Sequence, residues 1–319
     1  MIQVGYLERL TLRLIQGASR LDPAFRDRHR DYFLASQQSD GGFAGREGDS
    51  DLYYTGFALR GLATLAELQP PASTRASAFL GSRVSGRETA VDLLSLIYGA
   101  SLLERMAGEE PLARLPEGWK RSLADFLETY RKPDGGYAKT PQGAASSVYH
   151  SFLTLLCVEA IETSPREPER LIEFLKSHED EEGGYHEIRV SKRPGVNPTA
   201  AAVASLRMLS AFDDEARERT LDYLVDTQSD DGGFTANTRI PFSDLLSTFT
   251  ALVTMVDLDA AEEVDLAGAA RFARSLEIET GGFRGAALDP GHDVEYAFYG
   301  VGALSLLAYL EIPREEREV

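Results

Sequence analysis

The sequence predicts an all-α protein: an α/α toroid of six helical-hairpin repeats of about 48 residues, with inner and outer helix rings. Three observations carry this prediction. A Gly-Gly pair followed by an aromatic residue recurs at Gly41-Gly42-Phe43, Gly135-Gly136-Tyr137, Gly183-Gly184-Tyr185, Gly232-Gly233-Phe234 and Gly281-Gly282-Phe283, with first glycines 94, 48, 49 and 49 residues apart. The first interval is two periods, so one unit, near residues 70 to 110, has lost its glycines. Amphipathic segments precede the glycines, and more apolar segments begin ten to fourteen residues after them. A residue type able to cap a helix stands before each apolar segment.

A helix over residues 1–20 comes first, the repeats span about 29–310, and a charged tail occupies 311–319. The outer helices read DYFLASQQSD (31–40), DFLETYRKPD (125–134), EFLKSHEDEE (173–182) and DYLVDTQSDD (222–231), each with one apolar stripe. Each glycine pair is expected to stop the helix before it, because glycine leaves a helix readily through positive φ. The inner helices are expected at Leu52–Leu65, Leu93–Leu103, Val148–Ile161, Pro198–Leu209, Leu245–Val256 and Val294–Leu310, apolar almost all round and therefore buried on most sides. Asp51, Asp92, Ser147, Asn197, Asp244 and Asp293 precede them as expected caps, and Pro198 suits a first helical position. A helical solenoid that stays open is the alternative to a closed ring.

A closed array needs all its units to cover one core, so the 319 residues are expected to form one domain, 1–319. No apolar stretch reaches membrane-span length, and Glu8 and Arg9 interrupt any signal-like start, which points to a cytoplasmic protein. The single cysteine, Cys157, lies among Leu155, Leu156 and Val158 and reads as a small buried hydrophobe. A net charge of -18 argues against nucleic acid or anionic lipid as a general partner.

That charge is unevenly placed. The loops leading into the apolar runs hold Arg46, Glu47 and Asp49; Arg83, Arg87 and Glu88; Lys139; Glu187, Arg189, Lys192 and Arg193; Arg239; and Arg284 with Asp289, a net of +4, while the opposite loops are acidic. One end would then be basic and present six helix N-termini, a setting that favours an anion. Arg189, Lys192 and Arg193, with His186 nearby, form the densest cluster, and Arg239 comes second. The plainer alternative is that surface charge varies from loop to loop.

Residues three and six positions beyond the caps share a helix face: Tyr54 and Phe57, Ser95 and Tyr98, His150 and Leu153, Ala200 and Val203, Ser247 and Thr250, Tyr296 and Tyr299. If that face points inward, aromatic rings opposite small residues leave room for a long apolar ligand; otherwise the rings fill the centre themselves. His150 is the one interior histidine candidate.

The string QQSDGGFAGREGDSDLYYTGFALRGL (37–62), with the later Gly-Gly-Phe and Gly-Gly-Tyr units, resembles the prenyltransferase and squalene-cyclase repeat superfamily, most of all the β subunit of protein geranylgeranyl and farnesyl transferases. The resemblance covers essentially the whole chain. It implies a central apolar funnel for an isoprenoid, a basic rim for its diphosphate, one zinc ion and an α-helical partner subunit. The zinc ligands do not carry over: the Asp-X-Cys string is Asp244-Leu245-Leu246, and the histidine position is Tyr296. One carboxylate does not hold a catalytic zinc, so no cofactor is expected. The arginine and lysine of the diphosphate site fall on Thr238 and Pro241, with Arg239 one position off; the tyrosine falls on Ser247 and the fourth-loop histidine near Pro194. The cyclases' Asp-X-Asp-Asp acid string is absent, its nearest counterpart being Asp49-Ser50-Asp51. Among other toroids, a lanthionine-type cyclase needs two cysteines, a complement-like thioester domain needs Cys-Gly-Glu-Gln, and a glycoside hydrolase needs two inward carboxylates, of which only Glu295 stands out.

Two functions of different classes follow. The first is a binding protein of prenyltransferase β-subunit shape that holds an isoprenoid diphosphate or similar amphiphile, without zinc-dependent protein prenylation. Its ligand residues would be Tyr54, Phe57, Tyr98, His150 and Tyr299, with Arg189, Lys192, Arg193 and Arg239 at the rim. The second is a metal-independent prenyl transferase or terpene-processing enzyme, with Asp244, His150 and Tyr296 as its polar groups. A protein-interaction scaffold docking a helical partner is the third reading.

Overall fold

The computed structural model describes residues 4–84 and 88–317. Arg87, counted above among the basic loop residues, lies outside them. The helices are α1 (Tyr6–Ala18), α2 (Pro23–Ala35), α3 (Leu52–Thr64), α4 (Ala72–Ser82), α5 (Ala90–Ala107), α6 (Trp119–Glu128), α7 (Val148–Ala160), α8 (Pro168–Lys176), α9 (Val196–Met208), α10 (Asp214–Asp226), α11 (Leu245–Asp257), α12 (Leu266–Ser275) and α13 (Val294–Leu310). Two short antiparallel ladders accompany them: β1 (Tyr137–Ala138) with β2 (Ser146–Ser147), and β3 (Phe234–Thr235) with β4 (Ser243–Asp244). Among the described residues no helix is long and apolar enough to cross a membrane.

The chain divides into two compact units. The first comprises Met1–Glu88, Asp92–Glu117 and Ala273–Val319; the second comprises Thr89–Val91 and Gly118–Phe272. In the first unit α3 packs on α13, and α1 packs on both. Gly17 of α1 makes this approach possible, since a Cβ there would lie 1.8 Å from the Ser305 carbonyl oxygen. Tyr98 of α5 also meets α1. In the second unit α7 packs on α9, and α9 on α11.

The glycine pairs do a different job from the one expected. The preceding helices end six or seven residues before them, at Ala35, Glu128, Lys176, Asp226 and Ser275. The pair instead forms a tight turn whose first glycine has φ between 89° and 102°. A Cβ on that glycine would lie 2.1–2.7 Å from a backbone oxygen of another repeat's outer helix: Arg75, Arg170, Arg219, Gly268 or Arg28. The turn is thus a docking device between repeats. The aromatic residue that follows is fully buried in all five cases. Its backbone N–H, in four of them, donates to a hydroxyl at the start of the helix that follows: Phe43 to Thr55, Tyr137 to Ser151, Tyr185 to Thr199 and Phe234 to Thr248.

In the first unit the turn of the last repeat docks on α2, the outer helix of the first: Gly281 faces Arg28, and Glu277 pairs with Arg28 and His29. First and last repeats are therefore in contact, which the open-solenoid alternative would not allow.

Four of the six expected caps hold. Asp51, Ser147, Asp244 and Asp293 accept from N–H groups of the first turns of α3, α7, α11 and α13. Asp92 lies inside the first turn of α5, which begins at Ala90. Asn197 lies inside α9, which begins at Val196 after the extended Gly195, so Pro198 stands third in the helix. Its missing N–H is still free of cost, because the whole first turn lacks intrahelical acceptors. At the termini, the helix expected over 1–20 is observed as Tyr6–Ala18, and within the tail Arg317 donates to the carbonyls of Leu310 and Ile312.

Candidate functional site

The N-terminal halves of α3 and α13 carry the most unusual side-chain cluster of the first unit. Asp293 fixes the start of α13: one oxygen accepts from the N–H groups of Glu295 (3.0 Å) and Tyr296 (3.1 Å), the other from Arg46 Nε (3.0 Å). Arg46 also pairs with Asp289 at 3.0 Å. With both helix starts held, Tyr53, Phe57 and Arg60 of α3 meet Glu295, Phe298 and Tyr299 of α13. Phe57 lies at the centre, its ring centroid 5.0 Å from Tyr53, 5.7 Å from Phe298 and 5.3 Å from Tyr299. Glu295 Oε1 accepts from the hydroxyls of Tyr53 (2.8 Å) and Tyr299 (3.2 Å). Burial raises the Glu295 pKa above the ordinary 4.5, the Tyr53 hydrogen bond opposing and nearby Asp293 adding to the rise.

Arg60 is the other charge here. Its Nε donates to Gly56 O at 3.1 Å, and its guanidinium carbon lies 4.3 Å from the Phe57 ring centroid and 5.4 Å from that of Phe298. Such stacking satisfies the faces of a guanidinium and leaves its edge available.

The tyrosines expected beside Phe57 point elsewhere. Tyr54 and Tyr296 lie over Gly45 and Gly285, where a Cβ would come within 2.3 Å and 2.6 Å of the rings, and Arg46 stacks on Tyr296 at 5.3 Å. Tyr98 is buried with its hydroxyl donating to Leu7 O (2.9 Å) and bonded to Thr11 (2.6 Å), and burial pushes its pKa up to about 12. It is therefore a packing residue against α1. Of the expected aromatic ligand residues, Phe57 and Tyr299 belong to the cluster. Tyr53 and Arg60 were missed, although i,i+4 pairs at Tyr53–Phe57 and Glu295–Tyr299 and a lone arginine in the apolar run LYYTGFALRGLAT were there to be read.

In the second unit, His150 is half-buried at the start of α7, its Nδ1 2.7 Å from Ser147 Oγ. Burial, reinforced by Lys139, lowers its pKa and keeps it neutral. It is not the one interior histidine: His29 of the first unit and His178 of the second are more deeply buried. Asp244 receives the Ser247 N–H (2.7 Å) and hydroxyl (2.8 Å), and burial raises its pKa. Glu187, counted above as a loop charge, is half-buried, and burial raises its pKa too. Arg189, Lys192, Arg193 and Arg239 are exposed, with no side-chain hydrogen bond or ion pair among the described residues. His186 is engaged by Asp180 at 2.7 Å.

The positions that would ligate zinc do not fit it. Asp244 is committed to Ser247, Leu246 offers no donor atom, and Tyr296 is stacked over Gly285. Among the described residues no group of three or more His, Cys, Asp or Glu is placed to hold a metal ion.

Solved structures share the fold at low sequence identity. Protein geranylgeranyltransferase-I of Candida albicans, solved with GGPP, superposes with a TM-score of 0.72 at 17% identity, covering 88% of this chain and 90% of that one. The type II terpene cyclase MstE of Scytonema gives 0.61 at 13% identity, with 92% and 98% covered. The GH76A alpha-1,6-mannanase of Salegentibacter sp. HEL1_6 gives 0.61 at 11% identity, with 90% and 99% covered. No curated protein matches the sequence. The profile of the prenyltransferase alpha-alpha toroid domain matches residues 10–80, 118–164 and 157–318, and the chain belongs to that family.

Proposed function

We propose that this protein binds an isoprenoid or similar amphiphile on the aromatic face shared by α3 and α13, and performs no zinc-dependent protein prenylation. The observation that carries the reading is the convergence of Tyr53, Phe57, Phe298 and Tyr299. Ring faces of this kind suit a branched, unsaturated hydrocarbon. Similar folds hold geranylgeranyl groups: the Candida enzyme was solved with GGPP, and an MstE variant with geranylgeranyl dihydroxybenzoate. The exposed Arg189, Lys192, Arg193 and Arg239 are the candidates of the second unit for an anionic group, and a helical partner subunit remains part of the proposal.

Native mass spectrometry of the full chain with farnesyl and geranylgeranyl diphosphate, and with the matching alcohols, tests this. One-to-one binding of at least one of the four is expected; binding of none would sink the reading. Metal analysis after chelation is expected to find no stoichiometric zinc, and a retained equivalent would overturn the ligand argument.

Metal-free terpene processing is favoured by one specific observation. A carboxyl whose pKa is raised by burial, as at Glu295, holds its proton more readily than an exposed one and can serve as a proton donor, and it stands among aromatic faces. Product analysis after incubation with geranylgeranyl diphosphate would show a cyclised isomer that keeps its diphosphate, formed as one proton enters at an alkene and another leaves, and that disappears in Glu295→Gln.

A further inference from the structure

Arg60 does not suit a ligand whose inner end is a bare hydrocarbon. It stands nine residues beyond the cap Asp51, about 13 Å along α3 from the helix start. It is half-buried, and among the described residues its one side-chain hydrogen bond runs from Nε to Gly56 O. Neither terminal nitrogen has a hydrogen-bond or ion-pair partner among the described residues. Phe57 and Phe298 stack on the guanidinium and hold its plane, so the unused N–H groups form a fixed fork. Glu295 is close enough for Arg60 to act on its charge but makes no ion pair with it: Glu295 Oε1 is taken by two tyrosine hydroxyls. An arginine left this way in a partly desolvated, aromatic setting lacks only a planar anion of matching width.

We propose that Arg60 is the anchor for a carboxylate on the bound amphiphile, so that the ligand class is a terpenoid acid or another apolar monoacid lying over Phe57, Phe298 and Tyr299. The inference rests on the reading above that α3 and α13 hold the ligand. A carboxylate is favoured over a diphosphate by charge. One guanidinium balances one negative charge, and the other cation beside this cluster, Arg46, is already paired with Asp293 and Asp289, whereas a diphosphate would bring further charge toward Glu295 and Asp293. The two-point geometry of a carboxylate also matches the fork, as a lone hydroxyl does not.

The test compares farnesoic acid, farnesol and farnesyl diphosphate by calorimetry or native mass spectrometry on the full chain, in the wild type, Arg60→Met and Arg60→Lys. The wild type is expected to bind the acid about tenfold or more tighter than the alcohol, the scale of one hydrogen-bonded charge pair. Arg60→Met should bring that ratio to about one while leaving farnesol affinity in place, and Arg60→Lys should keep part of it. Thermal unfolding of both variants identifies any general loss of structure, and Arg60→Lys keeps the test valid if Arg60→Met does not fold. Equal binding of acid and alcohol by the wild type, tighter binding of the diphosphate than of the acid, or an acid preference that survives in Arg60→Met would each overturn the assignment and leave the isoprenoid reading standing. Failure of all three probes to bind would overturn the assignment, and the isoprenoid reading with it when the geranylgeranyl compounds also fail to bind.

Discussion

Glu295 is a carboxyl whose proton affinity is set by where α13 begins. The folded protein holds its proton to higher pH than the unfolded chain does, because burial raises its pKa above 4.5. Between those two values the folded state binds more protons, so this residue's stability contribution is full below about 4.5 and lost as pH rises through the folded value. Glu295→Gln keeps an acceptor for Tyr53 and Tyr299 and removes the titration. Urea midpoints measured from about pH 4 to pH 7 should therefore fall less steeply in the variant than in the wild type. Identical slopes would mean that Glu295 titrates normally and is no reserve of protons. This residue was legible as the odd carboxyl in an apolar run, and Arg60 was equally visible as the odd cation. What hid the cluster was the choice of face: positions three and six beyond the caps pick out Tyr54 and Tyr296, which are drawn onto Gly45 and Gly285, whereas Tyr53 and Glu295 stand one residue earlier.

The repeat element is held by its glycine turn, and two glycines with the same backbone separate conformational strain from docking. Gly48 and Gly183 both have φ of 89°. A Cβ on Gly48 meets nothing within 4 Å, while one on Gly183 lies 2.1 Å from Arg219 O. Gly48→Ala should cost only the left-handed penalty, about 1 kcal/mol. Gly183→Ala should cost that and roughly 1–3 kcal/mol more, because α10 must be pushed off the turn. Chemical denaturation of the two variants reads the difference directly, and equal costs would deny the docking role. The period of the repeats was plain in the sequence because buried aromatics and glycines have few substitutes. The end of each outer helix was not: polar strings such as SQQSD continue a helical pattern although α2 stops at Ala35. Two-residue ladders such as Tyr137–Ala138 with Ser146–Ser147 are likewise too short to show a period of two. The serine or threonine at the fourth position of the helix, which receives the aromatic N–H, was the available signal for that pairing.

Across the whole molecule, the contact between the last repeat and the first decides how the array opens. In a linear array each repeat touches only its neighbours, so the end repeats fray at the lowest free energy. Here Arg28 and Glu277, 249 residues apart in sequence, form an ion pair beside fully buried His29. The Gly282 N–H donates to His29 Nδ1 at 3.1 Å, which places the ring proton on Nε2, facing Glu277 Oε1 at 3.3 Å. The His29 ring also stacks on Phe283 with centroids 4.9 Å apart. The outer helix of the first repeat is therefore tied down by the last one, through a turn of the same type that joins internal repeats. Hydrogen exchange should show the amides of α2 protected to a degree comparable with those of α10, an internal outer helix. Gly281→Ala puts a Cβ 2.7 Å from Arg28 O and should speed exchange in Pro23–Ala35 before it affects α10. If α2 exchanges like a frayed end in the wild type and is indifferent to Gly281→Ala, the two ends are not joined in solution, and the stability of the array would then have to be read as that of a linear stack.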